Sequence, residues 1–142
     1  MNKADRQLIF EKFGGHCAYC GCELLKGWHV DEIKPVRRNK IWNQELKKWE
    51  INKDKPFEHP ERMCIENQNP ACASCNINKH SESLEIFRSN IKQYVQSLNL
   101  YSTQYKIAKR YGLIKETDIE VKFYFETALP TAPPSPDKTK EV

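Results

Sequence analysis

No run of apolar residues in this sequence approaches the roughly 18–20 needed to cross a bilayer, so no membrane span is expected. The opening Met1-Asn2-Lys3-Ala4-Asp5-Arg6 lacks the apolar core of a signal peptide. A reducing, cytoplasmic setting follows as an expectation. No internal repeat is visible. Apolar side chains are sparse as well: charged residues make up 30% of the chain and mean hydropathy is −0.78. At 142 residues the chain has the size of one domain with a modest core. Such a core calls for an extra staple, and a structural metal is one, because metal binding is linked to folding.

Cysteine, by contrast, is not lacking. Six are present, and four form two CxxC pairs far apart in the chain: Cys17-Ala18-Tyr19-Cys20 and Cys72-Ala73-Ser74-Cys75. Three disulfides would use all six, but in a reducing compartment two CxxC pairs read better as four thiolates on one tetrahedral zinc. Cys22 and Cys64 are then ordinary small side chains. Net charge is +4, yet residues 34–55 alone carry eight basic and three acidic side chains. That local excess suits a phosphate backbone, or it is simply a solvated lysine-rich loop.

The pattern predicts an amphipathic helix over 3–13, with Leu8, Ile9 and Phe13 inward and Gly14-Gly15 ending it. Cys17 to Cys22 should form a tight knuckle. Trp28 to Ile33 reads as a strand closed by Pro35. Ile41-Trp42 and Trp49-Glu50-Ile51 suggest a hairpin whose tryptophans either cover the core or stack on bases. A turn-rich stretch over 61–71 leads to a short helix from Cys72 that carries Asn76, Lys79 and His80. Asn76 and His80 are four apart, so on a helix they would share a face. Ser83 is a fitting N-cap for a longer helix with a stripe of Leu84, Phe87, Ile91, Tyr94, Val95 and Leu98. Another helix fits 102–111. The alternation in Ile119 to Glu126 predicts a C-terminal strand. The fold class expected is α+β, with residues 1–127 as the domain and the Pro-rich 128–142 as a disordered tail.

Between the two knuckles, His29-Val30-Asp31-Glu32-Ile33-Lys34-Pro35 gathers side chains suited to chemistry. Asp31, Asn76 and His80 could meet at one shallow site, where a hard divalent ion would favour carboxylate and amide oxygens. Such an ion can neutralise charge developing on a phosphodiester's leaving oxygen while a nearby base activates water.

The order CxxC, then His-Val-Asp-Glu-Ile-Lys-Pro, then Glu-Asn-Gln-Asn-Pro-Ala-Cys-Ala-Ser-Cys-Asn-Ile-Asn-Lys-His, resembles the HNH endonuclease family. The likeness is strongest to its small zinc-containing members from bacteriophages and mobile elements. It spans roughly residues 5–125 in layout and is sharp over 16–35 and 64–88. The resemblance implies a zinc-clamped ββα-metal finger (also called a His-Me finger), flanked by helices and acting on double-stranded DNA in the cytoplasm of a bacterial host. It implies structural zinc on Cys17, Cys20, Cys72 and Cys75, and magnesium or manganese on Asp31, with Asn76 and His80 as further ligands. Asn67 matches the family's loop-bracing asparagine, and Lys79 its common lysine, expected on phosphate.

The chain departs from the family where the general-base histidine belongs, because Glu32 stands there. A carboxylate is the weaker base, with a reference pKa of about 4.3 against about 6.5 for imidazole. Three readings stay open. Glu32 serves as base with metal help; His29, on the same strand face as Asp31 by period two, substitutes for it; or catalysis is lost and a DNA-binding module remains. The leading expectation is a metal-dependent DNA endonuclease, with Arg37, Arg38, Lys79, Lys106, Lys109 and Arg110 on phosphates. A weaker alternative is a protein-interaction domain, such as a phage inhibitor, whose basic segment meets an acidic protein.

Overall fold

The computed structural model describes residues 1–128, and they form a mixed α+β domain. Helix α1 (Lys3–Glu11) is started by Asn2, whose side chain accepts from the Asp5 N–H at 2.8 Å. It ends at Glu11 rather than Phe13, and Leu8 is exposed. Ile9 is buried as expected and Phe13, just past the helix, is half-buried edge-on to Tyr124, while Phe10 joins the inward side against Trp28. A tight knuckle follows, closed by the Cys17 N–H donating to the Cys22 carbonyl at 2.8 Å. Gly21 has φ +73°, and a Cβ there would lie 2.8 Å from the Tyr124 ring, so only glycine fits the turn.

Strand β1 (His29–Glu32) pairs antiparallel with β4 (Gln68–Ala71), with Asp31 opposite Asn69 and Glu32 opposite Gln68. Helix α2 (Ala73–Lys79) starts almost at once after β4, so these three elements form a ββα unit. The long connection between β1 and β4 holds a separate hairpin, β2 (Lys40–Asn43) with β3 (Lys48–Ile51), and two short 3-10 turns at Pro60–Arg62 and Ile65–Asn67. Ser83 caps α3 (Leu84–Tyr101) through the Ile86 N–H, and α4 (Thr103–Arg110) folds back beside it. The α3 stripe packs only over its first half. Phe87 is buried and Leu84 and Ile91 touch the core, whereas Tyr94, Val95 and Leu98 are exposed.

Aromatic packing dominates the core. Tyr19 meets Phe87 and Phe123 edge-on with ring centroids at 5.7 and 5.5 Å, and Phe87 stacks on Phe123 at 5.5 Å. The expected C-terminal strand is not one. Residues 119–123 have no regular structure, and Tyr124–Thr127 form a helical turn, α5. The alternation did mark the inward side, since Phe123 is buried and Phe125 packs on the core. What it lacked was a strand to pair with. The Tyr124 and Phe125 N–H groups donate instead to the Tyr19 and Ala18 carbonyls of the knuckle. Arg88 fastens the segment by donating to the Val121 carbonyl at 2.6 Å and to Glu126. The tail expected over 128–142 lies, apart from Ala128, outside the described residues. Among the described residues no helix is long and apolar enough to cross a membrane.

Candidate metal centre and carboxylate site

The two knuckles meet. The sulfur atoms of Cys17, Cys20, Cys72 and Cys75 all lie within 4.8 Å of one another. Cys20 and Cys72 are 3.8 Å apart. Four thiolates at about 2.3 Å from one tetrahedral zinc would be separated by roughly 3.8 Å, so this set can hold a metal ion such as zinc. The sequence separation of the pairs is bridged by the Ala18 N–H donating to the Pro70 carbonyl at 2.8 Å, which sets the first knuckle against the strand leading into the second. Within the quartet, acceptance of a hydrogen bond from Cys75 pulls Cys17 down to about 4, and the Cys75 thiol is pushed up in turn.

The carboxylates at the end of β1 sit in two different environments. Asp31 is 4% exposed, and its Oδ2 accepts from the Tyr19 hydroxyl and lies 2.9 Å from the Lys79 ammonium. Lys79 is 1% exposed and donates also to the Glu32 carbonyl at 2.7 Å. Burial pushes the Asp31 carboxyl up, opposed by the bonds from Tyr19 and Lys79. Glu32 is half-buried; desolvation first, and then the Asp31 charge, push its carboxyl above the ordinary range.

Asn67 fixes the loop beyond Glu32. Its Oδ1 accepts from the Lys34 N–H at 2.9 Å, while its Nδ2 donates to the carbonyls of Lys34 at 2.8 Å and Arg62 at 2.9 Å. The Ile33 N–H donates to the Asn67 carbonyl at 2.8 Å, extending the pairing one residue past β1. Lys12, reaching in from the end of α1, donates to the Ile65 and Gln68 carbonyls at 2.7 and 2.6 Å and ties down the other side of that turn.

Several expected neighbours are placed differently. Lys79 cannot touch phosphate from its buried position, because its ammonium is spent on Asp31 and Glu32. His80 is not on the helix. It is the C-cap residue of α2 at φ +52°, ψ −137°, and is exposed, so it does not share a helical face with half-buried Asn76. Of the three side chains expected around a divalent ion, Asp31 is buried on Lys79, Asn76 is half-buried on α2 and His80 is exposed at its C-cap. Among the described residues, the four cysteines are the one group of three or more His, Cys, Asp or Glu side chains close enough to share an ion. His29 is exposed at the first position of β1, whereas Asp31 two residues on is buried, so the face they share by period does not give them one environment. Arg37 and Arg38 are exposed; Arg37 reaches the Ser81 carbonyl at 3.4 Å, beside the end of α2. Lys109 pairs with Glu116 at 2.9 Å and Lys106 is half-buried, which leaves less of the α4 basic set for phosphate.

Two contributors were missed in the sequence. Tyr19 looked like a spacer within CxxC, yet it supports both Asp31 and the aromatic core. Lys12 carried no signal, since one lysine near a helix end is indistinguishable from a solvated one. An open groove lined by α3 and residues 116–121 involves none of the site residues. No protein-family model, curated protein or solved structure matches this chain.

Proposed function

We propose that this protein is an HNH-type, metal-dependent DNA endonuclease in which Glu32 takes the place of the general-base histidine. The observation that carries this reading is the ββα unit itself. Strands β1 and β4 pair antiparallel and lead into α2, with Glu32 at the end of β1 beside the loop held by Asn67. The four-cysteine cluster pins both ends of the unit, and zinc is the ion proposed for it.

Glu32 answers part of the objection raised by its chemistry. A base works best when its pKa lies near the working pH, and burial together with Asp31 moves this carboxyl upward. Its ionised form takes a proton from the attacking water. Asn67 positions it by fixing the backbone of the following residues, and the Lys79 hydrogen bond to its carbonyl does the same from beneath. Arg37 and Arg38 provide exposed cations for the flanking phosphates. Asp31 is the carboxylate expected on a catalytic ion, and in this structure it is paired with Lys79. Magnesium or manganese remains the proposed activator; it would be held by substrate phosphate and water with Asp31 as the protein carboxylate, leaving Glu32 free to act as base.

The test is to incubate zinc-loaded protein with supercoiled plasmid and a series of divalent ions. Nicked or linear product with magnesium or manganese is expected. No product with any ion, alongside intact DNA binding, would sink the enzyme reading. The buried Asp31–Lys79 pair favours one second reading, a zinc-stabilised DNA-binding module without catalysis. In that case Glu32→Ala leaves DNA affinity unchanged and no variant cleaves.

A further inference from the structure

The β2–β3 hairpin is not explained by the carboxylate site. Its register sets Trp42 opposite Trp49 and Lys40 opposite Ile51, so these four share one face by the alternation of strands. The two indoles meet edge-on at 5.7 Å, and they remain 43% and 63% exposed. Their contact helps hold a two-stranded hairpin, which is marginal alone. It does not explain why Ile51, and Ile41 on the opposite face, are also exposed, at 43% and 51%. The hairpin is shaped with some care. Asn43 Oδ1 accepts from the Glu45 and Leu46 N–H groups at 3.0 Å, and Lys47 takes φ +47° to close the turn. At the stem, the Asn39 N–H donates to the Pro56 carbonyl and the Asn52 N–H to the Asn39 carbonyl, each at 2.9 Å.

We infer that this hairpin is a nucleic-acid contact arm whose Trp42–Trp49 face stacks on unpaired bases, so that the favoured substrate has a single-stranded or opened segment. The inference rests on the nucleic-acid reading above and adds the kind of nucleic acid. Charge argues for this occupant. Lys40, Lys47, Lys48, Lys53 and Lys55 lie on the arm and its stem, against Glu45, Glu50 and Asp54 within residues 40–55. Glu50 is occupied by Lys48 and Asn43. Bases stack on exposed indoles whatever their identity, while lysines follow the backbone, which is the usual pairing of forces on single strands. Position argues for it too. The stem begins shortly after Glu32 in the chain, through a segment held at Pro35 by Arg62 and at Arg37 by contact with Ser81, so the arm is tethered a few residues from the carboxylate site.

The experiment uses the full zinc-loaded chain and fluorescein-labelled oligothymidylate, with a duplex of equal length beside it. Wild type is expected to bind the single strand at least as tightly as the duplex. Trp42→Ala/Trp49→Ala should lose about tenfold or more of single-strand affinity and little duplex affinity, and Trp42→Phe/Trp49→Phe should retain most of it. Because the alanine pair could melt the hairpin, a Trp28→Phe chain supplies a second readout. Its remaining indole fluorescence should be quenched by unlabelled oligothymidylate, and not by polyglutamate or anionic vesicles. Unchanged single-strand affinity in the alanine pair, no quenching, or equal quenching by polyglutamate or vesicles would each overturn the inference. If the wild type binds duplex but shows none of these effects, the arm alone is wrong; if it binds neither nucleic acid, the nucleic-acid reading falls with it.

Discussion

Replacing Lys79 with methionine keeps most of the volume of the buried side chain and removes its charge. Asp31 is then left 4% exposed with the Tyr19 hydroxyl as a partner and no cation. Removing one member of a buried ion pair costs about 3–5 kcal/mol, because the other charge stays in a low-dielectric site. At this chain length that corresponds to a fall in Tm of roughly 10–20 °C. The sign of the pH dependence follows from Asp31. Its folded pKa already lies above the ordinary carboxylate value and rises further without the ammonium. The folded variant then binds the proton more tightly than the unfolded chain, so its stability falls as pH rises through that window. Urea melts at pH 5 and pH 8 read both effects: the deficit relative to wild type should be larger at pH 8. Asp31→Asn combined with Lys79→Met should be less destabilised than the two single changes summed. A loss below about 1 kcal/mol, or a deficit independent of pH, would refute the claim that this pair anchors the site.

Four further outcomes are expected. Chelator treatment should release one zinc per chain, measured with a metal-sensitive dye, and unfold the protein by circular dichroism; a fully folded metal-free form would count against the cysteine assignment. Asn67→Ala removes three side-chain hydrogen bonds and should lower stability by about 1–3 kcal/mol in urea titration, with cleavage reduced by more than stability alone predicts. His80→Gly relieves a positive φ and should stabilise the chain by about 1 kcal/mol; unchanged nicking would show that His80 holds no ion, whereas lost nicking would restore it as a ligand. Glu32→Gln should not lower Tm at pH 7. A carboxylate whose folded pKa is raised favours the fold less as it ionises, so the neutral amide removes a penalty present at neutral pH.

The four-cysteine cluster was legible because CxxC spacing is a local rule, and four thiols have few alternatives once disulfides are set aside. The β1 strand and the Ser83 cap were legible for similar reasons, since each depends on a handful of adjacent residues. Strand β4 was hidden by Pro70 and Asn69, residues poor in strand propensity that are tolerated here because β4 is an edge strand of a two-stranded sheet. Periodicity placed the buried side of 119–126 but could not show that its backbone would meet a knuckle instead of a strand. The pairing of Asp31 with Lys79 joins residues far apart in sequence, and motif reasoning assigned each a ligand outside the protein. Exposure of Trp42 and Trp49 could not be read from a mixed Trp-Lys pattern, which fits a core cover equally well.

The most direct measurement is single-turnover cleavage of supercoiled plasmid by wild type, Glu32→Gln and Glu32→His, each zinc-loaded and assayed with manganese. Glu32→Gln should lose about a hundredfold or more in rate while keeping its DNA affinity, as removal of a general base does. Glu32→His should retain or gain activity. Wild-type rates in Glu32→Gln would contradict the assignment of Glu32 as the base on which this account rests.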